Sequence, residues 1–281
     1  METVLQFKTH LERLGYSKSS TRMLPSCLRE FLETTAKGIH EIQPKDIEDY
    51  HQYLQERPNQ RRAGGLSESF INHHLYSLRL FFAWQIESGR LNENPISSLE
   101  FAPPSSPPRE ILSTEEINQL YQKCENLRER AVLSLFYGCG LRRSEGEKLE
   151  IKDVHFSQNL LYVKSGKGGK RRAVPLSEKV KNDFQCYAVK ERFAKHRETA
   201  FITSQLGKRT SGDSFNRQFK KLVARAKIGK EVSLHSLRHS IATHLLESGL
   251  SVEYVRDFLG HQNLETTQVY TRIKSRQLWS F

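Results

Sequence analysis

Arginine, lysine, histidine and tyrosine recur through the second half of this chain at spacings suited to chemistry on a phosphate. Arg142 follows Gly138 and Gly140 where a helix is expected to begin, with Ser144 and Glu145 close behind. A guanidinium placed there can grip two non-bridging phosphate oxygens with its fork, and Glu145, one turn on, can hold it in position. His235 and Arg238 stand one helical turn apart and so share a face, offering a second arginine beside a proton donor or base. His261 comes directly after Gly260, and Tyr270 follows nine residues later. A tyrosine alone is a poor nucleophile, since a pKa near 10 leaves only about 0.1% ionised at neutral pH. Cations on the phosphate and a nearby base are what would make it useful. Each residue taken singly also has a plain reading: Arg142 as a surface ion pair, His239 and His244 as hydrogen-bonding fillers, Tyr270 as packing.

A further cation sits in a glycine-rich turn. Gly166-Lys-Gly-Gly-Lys lacks the Walker spacing, and no Ser or Thr follows Lys170, so a nucleotide-binding loop does not fit. Lys167 at a hairpin tip can enter a groove or protonate a departing oxygen. Lys164, Lys170, Arg171 and Arg172 around it are expected to bind DNA. A solvated basic turn is the alternative reading of the same residues.

The elements that must position these groups can be read from periodicity. Val4, Leu5, Phe7, Leu11 and Leu14 follow a helical spacing that stops at Gly15. Leu24, Leu28, Phe31 and Leu32 give a second helix, capped by Ser19, Ser20 or Thr21. Pro44 opens a third, with Ile47, Tyr50 and Leu54 inward. After the basic loop 61–65, Ser67 caps a fourth, carrying Phe70, Ile71, Leu75, Leu78, Phe81, Phe82 and Ile86 up to Gly89. Pro103, Pro104, Pro107 and Pro108 then stop helix formation and favour extended geometry, which marks a linker. Beyond it, Ser113 or Thr114 with Glu116 signals a helix start, and an apolar helix covers 131–137. Leu160–Val163 and Arg172–Leu176 read as a hairpin around the Lys167 turn, with a short strand expected at Phe201–Thr203. Leu234, Leu237, Ile241 and Leu245 would anchor the helix of His235 and Arg238. Val252, Val255, Phe258 and Leu259 form another that stops at Gly260, and Asn263 can cap the one carrying Tyr270. The expected fold class is therefore mainly α with a small antiparallel β-sheet in the C-terminal domain. The domains are residues 1–102, a Pro-rich linker 103–110, and residues 111–281.

Charge divides along the same line. Residues 1–102 hold 12 basic and 13 acidic side chains, whereas residues 103–281 hold 32 and 19. All of the formal +12 lies in the second part, which points to a polyanionic partner gripped mainly there, the alternative being a basic surface that aids solubility. No apolar run is long enough to span a bilayer, and no signal peptide is evident, so a soluble cytoplasmic protein without a membrane partner is expected. Four scattered cysteines, Cys27, Cys124, Cys139 and Cys186, lack a Cys-x-x-Cys pair and read as free thiols rather than a zinc site.

Taken in order, Gly-Leu-Arg-x-Ser-Glu, Gly-Lys-Gly-x-Lys, His-x-Leu-Arg-His, Leu-Gly-His and Thr-Thr-x-x-Tyr resemble the motifs of the tyrosine recombinases, the phage-integrase and Xer group. The similarity covers nearly the whole chain. Residues 1–102 resemble the family's helical core-binding, SAM-like DNA-clamp domain in Ile42-Gln-Pro-Lys-Asp-Ile, Leu78-Arg-Leu-Phe-Phe and Asn94-Pro-Ile. The resemblance implies a tyrosine-recombinase catalytic domain in which Arg142 and Arg238 bind the scissile phosphate and Lys167 is the general acid. It implies that His235 assists proton transfer, His261 hydrogen-bonds the phosphate, Tyr270 is the nucleophile forming a 3′-phosphotyrosyl link, and Glu145 gives support. It implies double-stranded DNA as substrate, a tetramer on DNA, and no metal, ATP or other cofactor, and leaves open whether a partner recombinase or accessory protein takes part. The role would be integration and excision of DNA or resolution of chromosome dimers.

The chain departs from the family in two places. Gly146 stands where the family places an apolar residue, and a glycine there loosens the helix by about 1 kcal/mol relative to alanine. The tail after Tyr270 is short; Leu278, Trp279 and Phe281 can dock on a neighbouring subunit or on their own domain. Two other classes share these features: a DNA-binding or architectural protein on this fold without catalysis, and a type IB topoisomerase-like relaxing enzyme.

Overall fold

The computed structural model describes residues 2–60, 63–101, 110–164, 171–194 and 197–260. The chain divides into two compact units, Met1–Pro107 and Pro108–Phe281. The division falls within the proline-rich stretch, whose residues 103–109 lie outside the described residues.

The first unit holds four α-helices among the described residues: α1 (Glu2–Arg13), α2 (Ser20–Thr35), α3 (Pro44–Glu56) and α4 (Glu68–Glu87). Pro44 occupies the first turn of α3, where its missing N–H is not needed. The Ser67 hydroxyl accepts from the Phe70 N–H at 3.3 Å and so satisfies one of the free donors at the start of α4. Phe7, Leu28, Phe31, Ile47, Tyr50, Leu78, Phe81 and Phe82 interlock as the core, all buried. The stripe on α1 is narrower than the sequence spacing: Val4, Phe7 and Leu11 turn inward, whereas Leu5 and Leu14 are 63% and 58% exposed. Leu14 lies beyond the last turn of α1, and Leu5 is on its outer face. Two buried polar contacts in this unit join neutral groups. The Tyr50 hydroxyl meets His74 Nδ1 at 2.9 Å, and Ser77 Oγ donates to the Leu24 carbonyl at 2.7 Å. Burial, then the charge of Arg57 and the neighbouring His73, push the His74 imidazole down to about 4.

The second unit contains α5 (Thr114–Gln122), α6 (Leu127–Leu133), α7 (Arg143–Lys148), β1 (Val154–His155), β2 (Leu160–Lys164), β3 (Arg171–Pro175), α8 (Glu178–Lys190), α9 (Gly212–Arg225), α10 (Leu234–Glu247) and α11 (Val252–Leu259). Ser113 and Glu116 cap α5 reciprocally: Ser113 Oγ accepts from Glu116 N–H, and Glu116 Oε2 accepts from Ser113 N–H. The sheet is antiparallel in the order β1-β2-β3, with Val154 opposite Leu161 and Val163 opposite Arg172. The glycine-rich turn joining β2 to β3 lies outside the described residues. Phe201–Thr203 does not form a strand. Its backbone takes part only in single bridges, Ala200 beside it with Glu150 and Thr203 itself with Arg209. Leu237, Ile241 and Leu245 of α10 pack with Phe136, Phe215 and Phe258 into one buried cluster. The result is mainly helical with one small antiparallel sheet, as the residue pattern implied. Among the described residues no helix is long and apolar enough to cross a membrane, and all four cysteines are free.

Candidate active site

The turn that presents Arg142 begins with a widened helix end. After α6 the backbone passes into a π turn over Ser134–Gly138, in which the Cys139 N–H donates to the Ser134 carbonyl five residues back. Such turns add a residue to the helical repeat and re-aim the chain downstream of them. Ser134 is pinned from two sides: its hydroxyl donates to Asp183 Oδ2 at 2.6 Å and lies 2.9 Å from the Tyr121 hydroxyl. Gly140 then takes a φ of 58°, and a Cβ at that position would stand 2.8 Å from Leu259 Cδ2. Glycine is required there on both counts. The chain re-enters a helix at α7 with Arg142 as its extended N-cap.

Four charged side chains converge at this turn. The Glu145 carboxylate accepts from the Arg142 backbone N–H at 2.8 Å and from Arg142 Nη1 at 2.9 Å. It also accepts a two-pronged pair from Arg172, Nη1 to Oε1 at 2.7 Å and Nη2 to Oε2 at 2.9 Å. Arg238 Nη1 lies 4.0 Å from Glu145 Oε2. Arg238 reaches this point from α10, where Ser233 Oγ caps the first turn and Leu234, Leu237 and Ile241 seat the helix in the core. Its Nη1 donates to the Gly140 carbonyl and its Nη2 to the Leu259 carbonyl at 2.6 Å. Arg142 Nη2 approaches the Gly260 carbonyl at 3.5 Å, so the end of α11 closes the same pocket.

The electrostatics follow from the count. Three guanidiniums share one carboxylate, which leaves two positive charges uncompensated among these four groups. Burial raises the Glu145 pKa, but hydrogen bonds and charge from Arg172, then the backbone and side chain of Arg142, outweigh it and hold the carboxyl at about 2. Burial, then repulsion from Arg142 and Arg172, push Arg238 down to about 9, so it stays charged at neutral pH. An anion brought beside these guanidiniums would offset that repulsion. The side chain of Arg238 is 3% exposed and that of Arg142 is 38% exposed, so one arginine forms the floor and the other reaches the surface.

Three expectations change. Arg172, expected as a DNA-facing cation of the hairpin, is only 8% exposed and spends both terminal nitrogens on Glu145. On β3 it shares a face with Val174, and Leu176 continues that alternation just past the strand; this inward period is the signal in the sequence that could have placed it. Lys164 is half-exposed and ion-paired with Glu150 at 3.1 Å and Asp153 at 3.0 Å, which ties β2 to the turn before β1. Gly146 is no loose point in α7. A Cβ there would lie 2.7 Å from Phe136 Cζ and 3.2 Å from Leu135 Cδ2, so the missing side chain makes room for the π turn.

His235 lies exposed on the first turn of α10, its ring edge-on to that of His239 with centroids 4.7 Å apart. His244 is buried and its Nδ1 meets the Tyr137 hydroxyl at 2.9 Å, a packing role. The backbone of Arg171 is described as the first residue of β3. Lys167, Lys170, His261 and Tyr270, with Asn263 and the tail residues Leu278, Trp279 and Phe281, lie outside the described residues. The structure therefore brings together Arg142, Glu145 and Arg238, adds Arg172, and stops at Gly260, the residue before His261. Among the described residues no group of three or more His, Cys, Asp or Glu side chains is placed to hold a metal ion.

Residues 110–277 match the family model described as the Phage integrase family. The tyrosine recombinase XerA of Pyrococcus horikoshii is 31% identical over 283 residues, which cover 97% of this chain and 90% of that protein. The Tn1549 transposon integrase, solved in complex with circular intermediate DNA, superposes with a TM-score of 0.77 at 21% identity, covering 93% of this chain and 92% of that one. A lambda integrase tetramer bound to a Holliday junction gives a TM-score of 0.73 at 18% identity, covering 95% of this chain and 78% of that one. The arginine-rich pocket and these matches together place the chain in the phage integrase family of tyrosine recombinases, enzymes that cleave and rejoin DNA strands.

Proposed function

We propose that Arg142 and Arg238 bind the scissile phosphate of duplex DNA and that Tyr270 attacks it. The observation that carries this reading is the set of three guanidiniums on the one Glu145 carboxylate, an excess of positive charge held in place before any anion arrives. A phosphodiester carries one negative charge, and the five-coordinate transition state of its transesterification carries two. The pocket therefore favours the transition state over the ground state. In the reaction the Tyr270 oxygen forms a bond to phosphorus as the bond from phosphorus to O5′ breaks. The phenol proton leaves with help from His235, Lys167 protonates the departing O5′, and His261 donates a hydrogen bond to a phosphate oxygen. The product is a 3′-phosphotyrosyl link and a free 5′ hydroxyl. Attack by a 5′ hydroxyl of another strand reverses each bond change and frees Tyr270. One P–O bond forms for each that breaks, so the link conserves the phosphodiester energy and ATP has no part in the chemistry.

In this reading residues 1–102 supply part of the grip on DNA, residues 103–110 are the tether, and residues 111–281 carry the reaction. The second region holds the excess of basic side chains, 32 against 19 acidic, so most backbone contacts fall to it. Exchange of strands between two sites takes four protomers, and the lambda integrase tetramer on a Holliday junction supports that number. The test uses a duplex nicked beside the cleavage point, so that a short fragment diffuses away and the adduct is trapped. The wild-type protein is expected to form a covalent protein–DNA adduct and Tyr270→Phe none. An adduct formed by Tyr270→Phe would remove Tyr270 as the nucleophile.

A further inference from the structure

Arg172 touches more of the site than its place on a hairpin implies. Its fork closes on both oxygens of Glu145, at 2.7 and 2.9 Å, and its side chain is 9% exposed. Its stem lies against Gly260: a Cβ on that glycine would stand 2.6 Å from Arg172 Cδ and 3.0 Å from Nη1. Gly260 has a φ of 69°, so both its backbone and the arginine against it demand glycine, and the next residue is His261. Arg172 is thus held between β3, α7 and the end of α11. Glu145 in turn holds Arg142 through backbone and side chain and lies 4.0 Å from Arg238. Without Arg172 the carboxylate, already on Arg142, would be free to close the 4.0 Å gap to Arg238 and neutralise more of the charge that a phosphate needs. With Arg172 engaged, both carboxylate oxygens are held, Arg142 keeps its contact with Glu145, and Arg238 stays on the Gly140 and Leu259 carbonyls.

We propose that Arg172 is a positioning residue for DNA cleavage, acting through Glu145 to hold Arg142 and Arg238 in the geometry that receives the scissile phosphate. The inference rests on the function proposed above and adds to it a residue that does not touch DNA. Arg172→Met keeps much of the stem and removes the fork. It is expected to bind duplex DNA within about threefold of wild type, because affinity is spread over many backbone phosphates. Single-turnover cleavage is expected to fall about 100-fold, the size of effect seen when reacting groups are misplaced by about an ångström. Arg172→Lys, with one contact in place of two, is expected to recover part of that loss. Loss from Arg172→Met and Glu145→Gln together should be no greater than about that of the worse single variant, since both act through one contact.

A substrate with sulfur in place of the bridging O5′ separates two routes. A thiolate leaves without needing a proton, so it restores cleavage to variants that fail at leaving-group protonation, for which Lys167→Ala is the control. The Arg172→Met deficit should persist on sulfur. Rescue on sulfur, full additivity with Glu145→Gln, or cleavage at the wild-type rate would each overturn the inference. Should Arg172→Met not fold, Arg172→Lys carries the same tests, with about tenfold slower cleavage expected and a wild-type rate overturning it. If the wild-type protein itself forms no adduct, it is the proposed function that fails; if it does and Arg172 variants match it, only this inference fails.

Discussion

The two units differ in whether they bury charge. In the first, the interior is aromatic and its polar contacts are neutral: Tyr50 with His74, Ser77 with a carbonyl. In the second, Arg172, Arg238, Asp153 and Asp183 are all less than a tenth exposed, and Glu145 sits among three guanidiniums. A buried ion pair is weak evidence for stability, because desolvation offsets the Coulombic gain. The charges in the second unit are therefore better explained by what they do than by what they hold together. Among the described residues of the first unit no Lys, Arg, Asp or Glu is buried, and its charges nearly cancel, 12 basic against 13 acidic over residues 1–102. On the proposed function, the buried charge of the second unit serves to meet the scissile phosphate.

That contrast can be broken most sharply at Glu145. Its carboxyl is lowered from 4.5 to about 2, which corresponds to roughly 3 kcal/mol. The folded pKa is depressed, so this stability is fully present above pH 4.5 and is lost as pH falls through about 2. Glu145→Gln is expected to lower the stability of the second unit by about that amount at pH 7 and to remove its share of the acid slope. Chemical denaturation at pH 7 and pH 3 measures both. An unchanged midpoint would mean the three arginines tolerate one another without the carboxylate.

His74 gives the first unit its own acid sensitivity, slightly smaller in its net effect and centred at higher pH. Its pKa falls from 6.5 to about 4, so the folded unit resists a proton that the unfolded chain accepts. Stability conferred by keeping His74 neutral is complete above pH 6.5 and declines as pH falls toward 4, by at most about 3 kcal/mol and less where the Tyr50 contact rearranges. Limited proteolysis between pH 7 and pH 4.5, with the cut sites mapped, should show residues of the first unit opening before those of the second. The reverse order would erase the contrast.

A smaller effect is expected at Gly146. An added methyl must displace the Phe136 ring, and overpacking of this kind costs about 1–3 kcal/mol. Gly146→Ala should therefore lower the melting temperature and slow cleavage, because Phe136 belongs to the π turn that aims Arg142. A stabilised variant would restore the simple propensity argument, in which alanine is the better helix former.

Much of this architecture is readable from residue types. Capping residues and apolar spacing locate the four helices of the first unit, and Gly-Leu-Arg-x-Ser-Glu with His-x-Leu-Arg locates the two arginines of the pocket. The failures have a common physical origin. Arg172 reads as surface because a basic residue beside a glycine turn favours solvent; its partner Glu145 is 27 residues away in sequence, and no local rule pairs them. Backbone propensity makes Gly146 a weak point, whereas its reason is a ring from the preceding element. Phe201–Thr203 has strand composition but finds only isolated bridges. In each case a tertiary contact overrides a local preference.

The central claim is that Arg142 and Arg238 act by meeting charge on the scissile phosphate. A substrate carrying a neutral methylphosphonate at that position tests it directly. On the ordinary phosphodiester, Arg238→Ala is expected to slow cleavage by about 1,000-fold, the scale of losing a preorganised donor at a developing charge. On the methylphosphonate, neutral in the ground state and carrying one negative charge instead of two in the transition state, its deficit relative to wild type should shrink to about tenfold or less. A deficit that stays near 1,000-fold on both substrates would contradict the account and assign Arg238 to the fold instead.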